Sequence, residues 1–153
     1  MVIEAPLCKY KKNNLKIGIV ILAIAAAWFY FDGRYSEKFI KKHTKADGSP
    51  DSNLVFNRKS PPYFLAGAVL LAGYFWTVRN KKIVADDQNI ALDAKEKISY
   101  SAIQSVNKTN FDAKGYFVIT YKDGSGNEKS RKISDRTYDN LEAILDLLVS
   151  KIT

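Results

Sequence analysis

The sequence holds one cysteine and one histidine in 153 residues. A single cysteine, Cys8, excludes a disulfide framework within the chain, and with His43 as the sole imidazole a structural zinc site lacks its ligands. There is no Gly-rich phosphate loop, nucleophile elbow or metal-binding histidine motif. His43 has no sequence partner for ligand or base work and reads as an exposed loop residue. Asp123-Gly124-Ser125-Gly126-Asn127-Glu128 has oxygens without the spacing of a calcium loop, and reads as a tight turn. The expectation is a non-enzymatic protein with no catalytic residue, no metal, no cofactor and no evident small-molecule substrate.

Charge is missing from two stretches. No Asp, Glu, Lys or Arg occurs from Ile17 to Phe31 or from Ser60 to Val78, although charged residues make up 26% of the chain. That division argues against a wholly soluble, single-core protein. Neither stretch has a polar face, which a core helix of a soluble protein would show. A crossing helix needs roughly 17–25 residues, which the first stretch reaches with Leu15 and a snorkelling Lys16. Aromatic rings stand near the ends as interface anchors: Trp28, Tyr30, Tyr63, Tyr74 and Trp76. Ser60 before Pro61 and Pro62 reads as a helix start, since proline needs no amide partner there. A cleaved signal peptide is the alternative for the first stretch, with Lys9, Lys11 and Lys12 as its basic region and Ala25-Ala26-Ala27 as its cleavage site. Against it, Trp28 to Phe31 carries the apolar helix beyond those small residues.

The chain therefore divides into a basic N-terminal segment (1–14), transmembrane helix 1 (15–31), a connecting loop (32–61), transmembrane helix 2 (62–78) and a small α+β domain (79–153). Ala23 and Ala27 lie four apart on the first helix, and Ala68 and Ala72 on the second. Small residues at that spacing let helix backbones approach in lipid, so these four are the expected packing residues of a helical hairpin. The connection is long for a hairpin. It carries Tyr35, Phe39, Ile40, Val55 and Phe56, which are the candidate partner-docking residues. Arg34 to His43 suits a short amphipathic helix, and Asp47 to Ser52 is turn chemistry.

From Lys81 the pattern changes to short alternating runs typical of strands. The strongest is Gly115 to Lys122, rich in β-branched and aromatic residues. Lys129 to Ser134 returns as its hairpin partner. A helix from about Tyr138 to Ile152 carries Leu141, Ile144, Leu145, Leu148 and Ile152 as one apolar stripe, with Asp139 and Glu142 placed as a capping box.

Strands closed by one C-terminal helix follow the order of a pleckstrin-homology-like domain. Ile98 to Val106, Lys114 to Tyr121 and Tyr138 to Leu145 resemble the strand pair, later strand and helix of bacterial PH-like domains, over roughly residues 82–152. The resemblance implies an antiparallel sheet or partial barrel capped by the helix, beside a transmembrane pair in a small bacterial membrane protein. Asp86 and Asp87 stand where a phosphoinositide site would need basic residues, so inositol-lipid binding does not carry over.

The net charge of +8 is uneven: residues 1–82 hold 14 Lys/Arg and 5 Asp/Glu, and residues 83–153 hold 10 and 11. With no basic excess on the folded domain, nucleic acid is not an expected partner. The basic flanks suit membrane lipids with anionic headgroups. Seven basic residues near the spans on the terminal side face seven on the connection. The terminal set sits closer to the spans, which favours both termini in the cytoplasm; the resemblance implies that the membrane is a bacterial inner membrane. The functional expectation is a membrane-anchored interaction or scaffold protein presenting its domain at the membrane surface to a membrane-protein partner. The alternative is a small accessory subunit of a larger membrane complex, for example a respiratory or photosynthetic one.

Overall fold

The computed structural model describes residues 2–93 and 96–152. The chain divides into two compact units. One joins the N-terminal segment, up to Lys12, to everything from Thr77 onward; the other is Asn13–Trp76.

The first unit is a small α+β fold. Its strands are β1 (Ile3–Pro6), β2 (Lys82–Ala85), β3 (Asn89–Asp93), β4 (Glu96–Ser99), β5 (Ile103–Asn107), β6 (Tyr116–Lys122) and β7 (Glu128–Ser134). They form two antiparallel sheets, β1-β2-β3-β4 and β5-β6-β7, not closed into a barrel. A short 3-10 turn, Tyr100–Ala102, separates the sheets in sequence. The side-chain period of two explains β6: Phe117, Ile119 and Tyr121 are buried in alternation. The turn after β6 is held by Asp123, whose carboxylate accepts from the Ser125 and Asn127 amides and pairs with Lys129 at 3.0 Å.

The N-terminal segment departs from its sequence reading as a mere basic flank. Ile3 to Pro6 pairs along Ala85 to Lys82, and Ala5 is fully buried in the core. Four residues, one of them proline, carry too little alternation to mark a strand whose partner lies far along the chain. On its other side the segment meets the loop before the last helix. Cys8 N donates to Thr137 O at 2.8 Å and Asp139 N to Pro6 O at 2.9 Å, while Leu7 bridges to Tyr138. Cys8 is a buried free thiol.

The C-terminal helix is α6 (Leu141–Ile152), three residues shorter at its start than expected. Asn140, at φ 60°, interrupts it. Asp139 does not build the expected capping box. Its carboxylate accepts from the Lys9 amide at 3.2 Å, capping the first turn of the N-terminal apolar helix instead. Leu141, Ile144, Leu145 and Leu148 of α6 join the buried faces of both sheets in one core. Each such side chain stabilises the fold by about 1.5–3 kcal/mol relative to exposure.

A polar contact also ties the sheets. Glu96 of β4 accepts from the Tyr121 hydroxyl of β6 and from Arg131 of β7 at 2.8 Å. Burial, then the neighbouring Glu96 carboxylate, pushes the Tyr121 phenol up. The short helix α5 (Phe111–Lys114) ends at Gly115, at φ 67°, where a Cβ would collide with the Asp135 carboxylate.

The second unit is helical. α1 (Lys9–Arg34) begins within the expected basic segment and is 26 residues long, about 39 Å at about 1.5 Å per residue. α4 (Pro61–Val78) has 18 residues, about 27 Å on the same rise. Both are long and apolar enough to cross a membrane, and most of their side chains are exposed. The connection is not a loop throughout: it folds as α2 (Glu37–Lys42) and α3 (Ser52–Lys59).

Because Ile144 is fully buried in the common core, Ile144→Ala should cost about 2–5 kcal/mol. Exposed Asp146→Ala, two residues on and turned to solvent on the other side of α6, should stay within about 0.5 kcal/mol. Denaturant unfolding of the full chain in detergent, followed by Tyr121 environment or amide dispersion, measures both. Equal small effects would show that α6 is not core.

Candidate functional site

Within the helical unit α1 and α4 run antiparallel. A Cβ on Gly18 would lie 3.0 Å from Leu71 Cδ2, and one on Gly67 3.6 Å from Leu22 Cδ1. Phe29 and Phe64 meet at 5.3 Å between ring centroids, and Lys16 lies over the Phe75 ring at 5.8 Å. Glycines thus face leucines across the pair, Gly18 tightly and Gly67 at ordinary van der Waals distance. Of the four alanines expected to pack, Ala68 is buried and Ala72 half-buried, but Ala23 and Ala27 are exposed. Ala26 is the buried alanine of α1. The four-residue spacing was present on α1, and the face it marks is turned outward, because Gly18 and Leu22 set the contact.

That outward face forms one wall of a groove of about 530 Å³. Ala23, Ala27 and Leu65 make its apolar part, with Tyr30, Arg34 and Arg58 at its polar part. Its geometry comes from the end of α1. Gly33 is buried where α3 crosses, and a Cβ there would lie 3.0 Å from the Asn57 carbonyl group, a tight contact that glycine avoids. Arg58 Nε then donates to Gly33 O at 2.9 Å. Arg34 lies over the Tyr30 ring with its guanidinium carbon 4.6 Å from the centroid. Ser60, just before the prolines Pro61 and Pro62 that also line the groove, is buried with its hydroxyl unpaired among the described residues. The sequence reading counted Arg34 and Arg58 only as flanking charge. What could have singled them out is position: Arg34 is the first basic residue after the first uncharged run, and Arg58, with Lys59, directly precedes the second.

The expected interface anchors Trp28, Tyr30, Tyr63, Tyr74 and Trp76 are all exposed. The five candidate docking residues are not alike. Tyr35 and Phe56 are exposed, while Phe39, Ile40 and Val55 are half-buried. Their ring contacts differ too: Tyr35 stacks on Phe31, Phe39 lies against His43, and Phe56 meets Phe29 and Phe64 edge-on. Part of their apolar surface is therefore used inside the unit itself.

The connection is ordered by its own bonds. Thr44 bridges to Pro50, and Asp51 N donates to His43 O at 2.9 Å. Asp51 is the N-cap of α3, accepting from the Leu54 amide at 2.9 Å. Its other oxygen meets His43 Nδ1 at 2.7 Å. His43 is thus not the exposed loop residue expected: its side chain is 15% exposed and joins the end of α2 to the start of α3. A histidine and an aspartate eight residues apart give no sequence periodicity, which is why the pair was not legible. Leu54, in the first turn of α3, is 1% exposed.

Among the described residues, no three His, Cys, Asp or Glu side chains come together as a metal-binding group. Asp86, in the expected acidic region, accepts instead from the Gln88 and Asn89 amides of its own turn. No protein family, curated protein or solved structure matches this chain.

The Leu54 amide, and after it the His43 ring, hold the Asp51 carboxyl below the usual carboxylate value. With the folded value below the unfolded one, about 3.9, this contribution is complete above the unfolded value and is lost as pH falls through the folded one. Protection of the Leu54 amide, corrected for intrinsic exchange, should hold from neutral pH down to about 4 and fall below it. Asp51→Ala should lower that protection at neutral pH. Protection unaffected by the substitution would contradict the capping role.

Proposed function

We propose that this chain is a membrane-anchored, non-catalytic interaction protein whose α1 and α4 span the membrane and whose α+β domain stands at its surface. One observation carries this reading. The strand before α1 pairs with the strand after α4, Pro6 opposite Lys82. That pairing brings the chain just before α1 beside the chain just after α4, which supports a hairpin that enters the membrane from one side. A hydrocarbon core of about 30 Å is exceeded by α1 at about 39 Å and nearly matched by α4 at about 27 Å, and their exposed apolar side chains, such as Ile17, Ile21, Ile24, Val69 and Leu70, suit lipid contact.

The pleckstrin-homology-like kinship belongs to the same proposal. It is supported by the succession of seven antiparallel strands, among the described residues, and one C-terminal helix. The terminal region alone is one strand short, and β1 supplies it from before the first helix. The bacterial inner membrane, with both termini cytoplasmic, completes the proposal and rests on that resemblance and on the placement of basic residues close to the spans.

Partner binding falls to surfaces outside the membrane, namely the domain and the α2–α3 connection. Single cysteines in a Cys8→Ser background test the arrangement. With an impermeant maleimide on intact cells, Ser49→Cys in the connection should label from outside, and Ser125→Cys in the β6–β7 turn only after permeabilisation. Labelling of both from one side would contradict the two-span reading. After mild-detergent extraction the chain should run as a small species with its protein partner; stoichiometric recovery inside a cofactor-bearing assembly would favour an accessory subunit instead.

A further inference from the structure

We propose that the groove between α1 and α4 is a binding site for one anionic phospholipid, with the phosphate on Arg34 and Arg58 and an acyl chain laid along Ala23, Ala27 and Leu65. The inference rests on the membrane-spanning reading of the two helices. At about 530 Å³ the groove lies within the size range of small-molecule sites, about 300–1,000 Å³. Its two parts differ in chemistry in the way the two ends of a phospholipid do. Alanine at 23 and 27 leaves the room that a larger side chain would fill, and Leu65 supplies the facing apolar wall. At the other part stand two guanidinium groups and, among the described lining residues, no carboxylate to neutralise them.

Both guanidinium groups are held before any ligand arrives. Arg58 spends its Nε–H on Gly33 O at 2.9 Å, which leaves its terminal nitrogens to meet an anion. Arg34 is laid over Tyr30. A planar fork presents paired donors that match phosphate oxygens, and a held fork loses less freedom on binding. Arg34 is the last residue of α1, and Arg58 lies three before the start of α4. In a spanning hairpin that is headgroup depth, with the alanines below it at acyl depth. Charge complementarity thus selects an anionic lipid over a zwitterionic one, whose own cation would face the arginines.

Native mass spectrometry of the full chain, released from bilayers of equal phosphatidylglycerol and phosphatidylcholine, tests this. One phosphatidylglycerol should stay bound per chain. Arg34→Gln with Arg58→Gln should reduce its retention about tenfold, the scale of losing a charge-assisted hydrogen bond. Lys38→Gln with Lys45→Gln removes the same charge outside the groove and should leave retention unchanged. Ala27→Leu keeps both arginines and fills the acyl part; it should also lower retention, and it guards against loss through misfolding of the arginine variant. Equal retention of the two lipids, or an equal loss in the lysine variant, would overturn the site. So would a second copy or another protein helix found in the groove in place of lipid. Carbonate extraction separates the two readings: a chain stripped from the membrane overturns both, whereas one that stays inserted without phosphatidylglycerol preference overturns only the groove.

Discussion

The pairing of β1 with β2 is the constraint on which the rest of the structure depends. It sets Ile3 opposite Ala85 and Pro6 opposite Lys82, so the helical unit is an insertion between two neighbouring strands of one sheet. A long insertion costs little chain entropy, about 0.6 kcal/mol for each doubling of loop length. The antiparallel packing of α1 on α4 lowers that cost further, because it returns the chain to where it left. The same strand fixes the first turn of α1. Leu7 N donates to Lys81 O at 3.0 Å, and the Asp139 carboxylate caps Lys9. The start of the first apolar helix is therefore bonded to the loop that precedes α6, and the domain is incomplete without residues that come before both helices.

Inside the helical unit a different physics operates. For helices placed in lipid, as proposed for α1 and α4, burying an apolar side chain against another gains little, so contact depends on close fit. Gly18 facing Leu71 and Gly67 facing Leu22 supply that fit. At the far end the fit is polar: Gly33 lets α3 approach, and Arg58 bonds its carbonyl. One contact set holds the helices together, and the other holds a charged pair over an apolar groove. The His43–Asp51 pair then closes the connection, joining the end of α2 to the start of α3.

The parts that were legible in sequence are those with a strong local period or run. The uncharged run ending at Val78 becomes α4, starting at Pro61 after the Ser60-Pro61-Pro62 signal. The alternation of Phe117, Ile119 and Tyr121 becomes β6, and the stripe Leu141, Ile144, Leu145 and Leu148 becomes the buried face of α6. The parts that were not legible depend on distant partners. β1 has one fully buried side chain, Ala5, and its partner strand lies beyond the whole helical unit. α3 buries only Leu54 among its apolar residues, so its eight residues show no stripe. Asp139 sits at the right spacing for a capping box, but an amide from the other end of the chain competes for it and wins. The groove was hidden for a related reason. Helix spacing marks a face, and only the partner helix decides whether that face is contact or wall.

The most direct test of this account is a disulfide across β1 and β2. Glu4 and Val84 are register partners, and antiparallel partners lie about 4.5–5.5 Å apart at Cα, within reach of a disulfide. Glu4→Cys with Val84→Cys, in a Cys8→Ser background and in native membranes, should crosslink on mild oxidation as readily as Thr120→Cys with Ser130→Cys, partners on β6 and β7. The account predicts a bridged chain whose two halves stay joined after proteolysis in the connection. A β6–β7 pair that oxidises while the β1–β2 pair remains reduced would contradict it.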